Sequence, residues 1–541
     1  MSQPSRRTFL QFAVAAGIGA GLGACSTGSG STGNNGSSAG PAPWPTFKAA
    51  AGPTPDLRST IEGGGPDAFL RYPDQIVATI TEPPGDGSVV EALIPTYSPP
   101  PTPVAGNVLW SAINAALDAD VRLNLVPVSE YGDRLATVTA SNDLPDTMLI
   151  TDLPRARQFV QAKCADITDF VSGDAILEYP NLAAIPRYAW QAMGRVDGRI
   201  YGVPLPRGRQ SQTIHVNRSA LDAVGAADPW TRDEFAEAMH AVTRDGRYGI
   251  GIQSGSNYVM DIWAGGFGAP NRWEIVDGEF VQAEASDAFY EALDFVRGMY
   301  ADGLFHPGSG SLSQNDLMNE YYAQNVVCVA GNFTNYSTGT YFERVGDRFV
   351  TDIAPIFAPD YKNWLGAGLF GYTVFKQADP DRIRMLLRLC DYIAAPYGSA
   401  EWELLNHGVE GEHFTRGADG AIAKTPLADT ENWNTVPFKY IADSMDIIQV
   451  PGNEDATRRA FEYVETVVPS GTVNPAVGLA SDTLDRQGAA LEQRFTDAVI
   501  AIVTGREDIS TWADVAEEVR RDGGDAIAAE LAESAAEDST A

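Results

Sequence analysis

From about residue 88 the apolar residues switch repeatedly between the period of a strand and that of a helix, and this alternation restricts the folds open to the chain. Val89 to Ile94 reads as a strand. Asn107 to Leu117 reads as a helix with Val108, Ile113, Ala116 and Leu117 near one face. Val121 to Val128 is a strand, Tyr131 to Ala140 a helix and Thr147 to Ile150 a buried strand. The order β-α-β-α-β predicts a parallel sheet with helices on its faces. Asp152 follows the third strand, at the carboxyl end where open α/β sheets bind ligands. A second series follows. Thr231-Arg232-Asp233-Glu234 is a capping box that opens a helix carrying Phe235, Met239 and Val242. Tyr248 to Ile252, Val326 to Ala330 and Phe370 to Phe375 read as strands, with Gly331-Asn332 at the end of the second. Ala283 to Tyr300, Asp379 to Ala394 and Ala513 to Ala532 read as helices, the last broken at Gly523-Gly524.

A chain of 541 residues exceeds what one small core serves, so at least two lobes are expected. The N-terminus lies outside them. Ser5-Arg6-Arg7-Thr8-Phe9-Leu10 is a twin-arginine export signal, and it runs through an apolar stretch into Leu22-Gly23-Ala24-Cys25. That tetrapeptide resembles a bacterial lipobox, which implies a diacylglyceryl anchor on Cys25 and a mature chain on the outer face of a cell membrane. Residues 26–55 are rich in Gly, Ser, Thr, Asn and Pro and read as a flexible tether of roughly 30 Å root-mean-square span. No later apolar run approaches the ~20 residues that span a bilayer.

The formal charge is -33. Such a surface repels nucleic acid, and no nucleic-acid partner is expected. With Cys25 acylated, Cys164, Cys328 and Cys390 remain, lie in or beside apolar segments and read as buried thiols. No two cysteines have metal-ligand spacing, and neither a metal nor another cofactor is expected. The chain has no G-x-S-x-G elbow, H-E-x-x-H pair, P-loop or dinucleotide fingerprint. With 71 acidic residues, some carboxylate pair always looks like a glycosidase dyad, so such a pair identifies nothing. The expectation is a binding protein, not an enzyme.

Five segments in order carry a family resemblance. Tyr131-Gly132-Asp133-Arg134-Leu135 with Ala140-Ser141-Asn142-Asp143-Leu144-Pro145-Asp146 is the first, although Asn142 stands where Gly is usual. Asp197-Gly198-Arg199-Ile200-Tyr201-Gly202-Val203-Pro204 is the second, and Asn217-Arg218-Ser219-Ala220-Leu221 with Pro229 and Thr231 to Phe235 the third. Asn406 to Phe414, with Glu410 and His413, and Gly505 to Gly524 complete the set. Together they resemble the extracellular solute-binding proteins of ABC importers, family 1, in the lipoprotein branch that handles oligosaccharides. The resemblance implies an α/β, two-lobed periplasmic-binding-protein-like fold (type II) with a hinge and a ligand cleft between the lobes. Lobe one is expected at 56–212 plus 360–398, and lobe two at 213–359 plus 399–541. The implied partners are a sugar or oligosaccharide, the transmembrane subunits of an ABC permease, and the membrane through the lipid. A surface carbohydrate-active enzyme and a sensor lipoprotein on the same fold are the alternatives.

A sugar site needs aromatic faces for stacking and side chains that donate and accept hydrogen bonds. Trp263, before the loop Ala264-Gly265-Gly266-Phe267-Gly268, is a candidate together with Phe267. So are Trp364, between lobe two and the returning strand, Tyr372 on that strand, Trp433 in a polar loop, and Trp110 in the first helix. Tyr97 lies in the stiff loop Pro95 to Asn107, which contains five prolines. Asp152 and Asn332 close strands, and Arg207 leads into the segment that crosses between lobes, where its guanidinium can fork onto hydroxyls or a uronate carboxylate.

Overall fold

A computed structural model describes residues 40–541 except 142, 152, 211, 256–259, 358–361, 418–421 and 540–541. Cys25 and the expected export signal lie outside the described residues. Two sheets organise the chain. The first comprises β1 (Val89–Thr96), β2 (Asp120–Pro127), β3 (Thr147–Ile150), β4 (Gly202–Pro206) and the returning strand Leu369–Phe375, β9, in the order β2-β1-β3-β9-β4. The second comprises β5 (Gln212–Asn217), β6 (Tyr248–Gly251), β7 (Val326–Asn332) and β8 (Thr351–Ala354), in the order β8-β5-β7-β6.

The sheets are mixed and not purely parallel. β1 runs parallel to β2 and β3, whereas β9 is antiparallel to both β3 and β4. The reason is the route of the chain. A strand that arrives from the other lobe enters at the sheet edge facing that lobe, so it runs against strands that end there. β5, entering the second sheet, is antiparallel to β7 in the same way.

Local signals are realised closely. Helix α1 (Val108–Leu117) is capped by Asn107, whose side chain accepts from the Trp110 amide at 2.8 Å. Helix α2 (Val128–Ala140) packs Tyr131, and the capping box Thr231–Glu234 is formed at the start of α3 (Arg232–Val242). Asp197 and Gly198 both have positive φ and close a two-residue turn between Val196 and Arg199, with both backbone bonds at 2.9 Å. Tyr131 stitches the first sheet: its Oη lies 3.0 Å from the Leu93 carbonyl and 2.7 Å from that of Leu149. Asp146 accepts from the Glu91 amide at 2.9 Å and pairs with Lys376 and Arg382 at 3.0 and 3.1 Å. Burial opposes its charge, yet these donors hold its carboxyl below the usual carboxylate range.

Four apolar clusters form among the described residues where two lobes were expected, the smallest around Leu317, Tyr321, Tyr341 and Phe349. The first underlies the first sheet and takes in Leu405, Val436, Phe438, Tyr440, Ile441 and Ala442. Leu405 and residues 436–442 therefore pack with lobe one and not, as expected, with lobe two. Glu401 explains part of this, since its Oε1 accepts from the amides of Thr79 and Ile80 at 2.8 and 2.7 Å. The second cluster holds lobe two together, including α4 (Asp287–Ala301) and residues 491–531. A third joins Ala68, Phe333, Ile353, Leu365, Ile448 and Val450 to the helix Glu454–Val467. Residues 57–68 belong there, where Ala68 bridges Ile448 and Ser59 bonds Glu465.

Part of the expected tether over 26–55 is docked on lobe one. Ala42, Thr46 and Lys48 donate backbone bonds to Gly198, Gly173 and Ala183, and the Arg195 guanidinium lies 4.4 Å from the Trp44 ring centre. Trp44 and Pro45 carry enough apolar surface to dock. Cys164, Cys328 and Cys390 are buried free thiols. No helix among the described residues is long and apolar enough to cross a membrane.

Candidate functional site

Three chain passes join the lobes side by side. Residues 206–210 pair with 363–369: the Arg207 amide donates to the Gly368 carbonyl, and the Gly366 amide to the Arg209 carbonyl, both at 2.9 Å. Thr472 adds the third pass, exchanging bonds with Asn363 and Leu365 at 2.8 and 2.9 Å. Asn271 of lobe two clasps it, donating to the Leu365 and Thr472 carbonyls at 2.9 and 2.8 Å. Gly368 has φ +72°, and a Cβ there would lie 2.3 Å from the Tyr188 ring, so glycine is required at this crossing.

The crossing leaves the first sheet at one edge. β1 and β4 end at this edge, and β9 begins there, with Leu369 opposite Pro206 and Tyr372 opposite Ile150. Tyr97 follows β1, Arg207 follows β4, and Phe370 lies at the start of β9. A loop from distant sequence, residues 431–446, meets them. Phe370 stacks on Tyr440 with ring centres 5.4 Å apart, and Tyr97 lies 5.9 Å from Tyr440 on its other contact. Tyr97 is 58% exposed, so a face of this group is open to solvent. The Lys439 ammonium stands 3.5 Å from the Trp433 ring centre and 5.2 Å from that of Tyr440. Arg207 lies 5.1 Å from Phe370 and pairs with Asp443 at 2.9 Å. Tyr188 donates to the Arg207 carbonyl at 2.8 Å and carries Arg209 over its ring at 5.4 Å. Asp446 accepts from the Gly208 amide at 3.2 Å.

The electrostatics follow from burial. Burial pushes the Lys439 ammonium down to about 8, with Asp443 acting against the shift and Arg207 reinforcing it. Burial raises the Asp443 carboxyl despite Arg207 and Lys439. Burial also disfavours the Arg207 charge, but Asp443 and Asp446 more than offset it, and the guanidinium stays charged. The arrangement offers flat apolar faces for C–H surfaces and ionic groups for hydroxyls or charges.

The loop 431–446 is held by the His413 segment. His413 is fully buried, its Nδ1 accepts from the Val409 amide at 3.1 Å, and its Nε2 therefore carries the proton that faces Glu431 at 3.4 Å. Glu431 accepts in turn from the Val108 and Leu109 amides at 2.7 and 3.1 Å, at the start of α1. Glu410 is an exposed neighbour of Arg416, 4.0 Å away. The family-like segment thus acts structurally, fixing one end of the loop that delivers Trp433, Lys439 and Tyr440.

Of the residues singled out from sequence, Tyr97, Arg207 and Trp433 converge here. Asn332 is exposed on lobe two, at the end of β7 beside the crossing, with its Oδ1 accepting from Thr334 at 2.9 Å. Tyr372 sits two residues deeper along β9 than Phe370 and is half-buried. Asp152 lies outside the described residues. Four aromatics are corrected to structural positions. Trp263 is 1% exposed and packs near Phe235, Phe295 and Phe357, so no ring face is left for a ligand. Phe267 packs on Phe295 and Phe357 beneath Arg232. Trp364 is buried and donates to the Ala269 carbonyl at 3.0 Å, and Trp110 is buried and donates to Val121 at 2.9 Å. Phe370, Lys439, Tyr440, Asp443 and Arg209 were missed. The one local signal was the aromatic–basic–aromatic run Phe438-Lys439-Tyr440 in an otherwise acidic chain.

Comparison with known proteins agrees with this architecture. The family profile described as bacterial extracellular solute-binding protein matches residues 105–381, just over half of the chain. Lipoprotein LipO of Bacillus subtilis is 22% identical over 475 residues, covering 83% of this chain and 92% of that one. The polygalacturonan/rhamnogalacturonan-binding protein YtcQ of the same organism is 21% identical over 501 residues, covering 88% and 93%. An HMO-binding, ABC-transporter-associated solute-binding protein from Bifidobacterium longum infantis superposes with a TM-score of 0.62 at 12% identity, covering 82% of this chain and 98% of that one. The two-lobed fold is thus shared with known solute-binding proteins, and the profile match over more than half of its length shows that this chain belongs to the bacterial extracellular solute-binding protein family.

Proposed function

We propose that the protein is a membrane-anchored, extracytoplasmic substrate-binding protein that captures an oligosaccharide or related sugar and delivers it to the transmembrane subunits of an ABC importer. The observation that carries the sugar assignment is the ring group Tyr97–Tyr440–Phe370 at the crossing edge of lobe one, flanked by Arg207, Asp443 and Lys439. Stacked rings beside ionic groups match the flat C–H faces and hydroxyl edges of pyranoses. Relatives named as polygalacturonan/rhamnogalacturonan-binding and HMO-binding support the same ligand class. The anchor is the lipid on Cys25, and the twin-arginine signal delivers a folded chain. In this reading the protein returns its ligand chemically intact.

Calorimetric titration of the protein with a panel of mono- and oligosaccharides tests the assignment. At least one oligosaccharide should give saturable heat and raise the melting temperature; saturation at a hundred times Kd adds about 2.7 kcal/mol. Absence of both across the panel refutes sugar capture, and appearance of cleavage products refutes a pure binding role. Cys25→Ala should move the protein from the membrane fraction to the soluble fraction.

A further inference from the structure

We infer that the site takes an acidic oligosaccharide, one whose sugar rings carry carboxylates, and that Lys439 and Arg209 are the side chains that recognise them. This rests on the sugar-capturing function proposed above and narrows its ligand class.

The observation is an alternation of rings and cations along the crossing edge of lobe one. Lys439 stands between Trp433 and Tyr440, Phe370 stacks on Tyr440, Arg207 covers Phe370, and Arg209 covers Tyr188. In a chain with 38 basic residues against 71 acidic ones, three cations at one edge stand out. Their pairing differs. Arg207 is committed to Asp443. Lys439 and Arg209 make no ion pair among the described residues, and each rests on aromatic faces. Lys439 is half-buried, and the charged groups that act on it are Asp443, Asp446 and Arg207. Asp443, the strongest attraction, is held by Arg207. Arg209 is partly buried as well, and burial lowers its affinity for its proton.

A partly desolvated cation without a counterion is costly to keep. A ligand carboxylate removes that cost at both positions. A planar carboxylate fits the guanidinium fork of Arg209, and the compact ammonium of Lys439 serves as a point charge. A sugar acid places its ring on an aromatic face and its carboxylate on the adjacent cation, which is the order the edge presents. The protein's own negative field repels such a ligand at long range, so recognition depends on these local charges.

The test is calorimetric titration of the full chain in detergent with trigalacturonate and with two neutral trisaccharides, galactotriose and maltotriose. Trigalacturonate should bind at least tenfold more tightly than either neutral sugar. Its affinity should fall as salt is added, and fall again from pH 7 to pH 9 as Lys439 loses its proton. Lys439→Met and Arg209→Met should each weaken it tenfold or more, and Lys439→Arg should restore binding and abolish the loss between pH 7 and 9. Circular dichroism melting of the variants separates this from misfolding. Equal or tighter binding of a neutral trisaccharide, or unchanged trigalacturonate affinity in both methionine variants, overturns the acidic-ligand assignment and leaves sugar capture standing. If neither the acidic nor the neutral trisaccharides bind, both fail.

Discussion

Tyr97 and Trp263 show how little a residue's type reveals about its role. Both are aromatics beside glycine- or proline-rich loops, yet Tyr97 is 58% exposed and Trp263 is 1% exposed. Tyr97→Ala should weaken sugar binding by about 1–3 kcal/mol while leaving the melting temperature within a degree or two, measured by calorimetric titration and scanning calorimetry. Trp263→Ala should do the reverse, costing about 3–5 kcal/mol of stability through the cavity it leaves. Ionisation obeys the same burial. Asp391 accepts from the amides of Asn181 and Leu182 at 2.7 and 2.9 Å, and burial still raises its carboxyl to about 7. Its folded value lies above its unfolded one, so the folded state holds the proton more tightly, and this contribution is complete below about pH 4 and lost as pH rises towards 7. Asp391→Asn removes that titration. Relative to wild type, the variant should gain at least about 1 kcal/mol between pH 5 and pH 8 in denaturant unfolding.

At the scale of elements, the strands and helices that local pattern predicts form within a few residues of their expected bounds, except the C-terminal helix, which runs on to Ser539. The helix expected from Asn107 to Leu117 forms as α1 with Asn107 as its cap, and the strand expected from Thr147 to Ile150 coincides with β3. Periodicity, caps and the Asp197-Gly198 turn act over at most four residues, so they are legible without the fold. The direction of β9 was not, because it depends on where the chain re-enters the sheet. The crossing passes add a steric requirement. Gly368→Ala combines a strained positive φ with a clash against Tyr188, whose hydroxyl is tied to the Arg207 carbonyl. The substitution should cost about 2–4 kcal/mol and weaken ligand binding, because Arg207 and Arg209 flank the same ribbon. Thermal melting and titration of the variant check both effects.

For the whole molecule, the two-lobed fold predicts closure about the three crossing passes, with lobe two moving over the ring group. Small-angle scattering should show the radius of gyration falling when ligand saturates the protein, and an unchanged radius would indicate capture without closure. The lobes themselves differ from expectation in a consistent way. Residues 399–541 were expected in lobe two, but Glu401, Glu431 and Phe438 tie their segments to lobe one. The sequence alone determined many of the elements, the family and the two-lobed α/β architecture, because each is written in neighbouring residues or in motifs of fixed order. Only the tertiary structure decided which aromatics face the crossing. Tyr97 meets Tyr440, and Arg207 meets Asp443, across more than two hundred residues of chain. Whether a ring is core or binding surface is set by such long-range contacts, which no local pattern encodes.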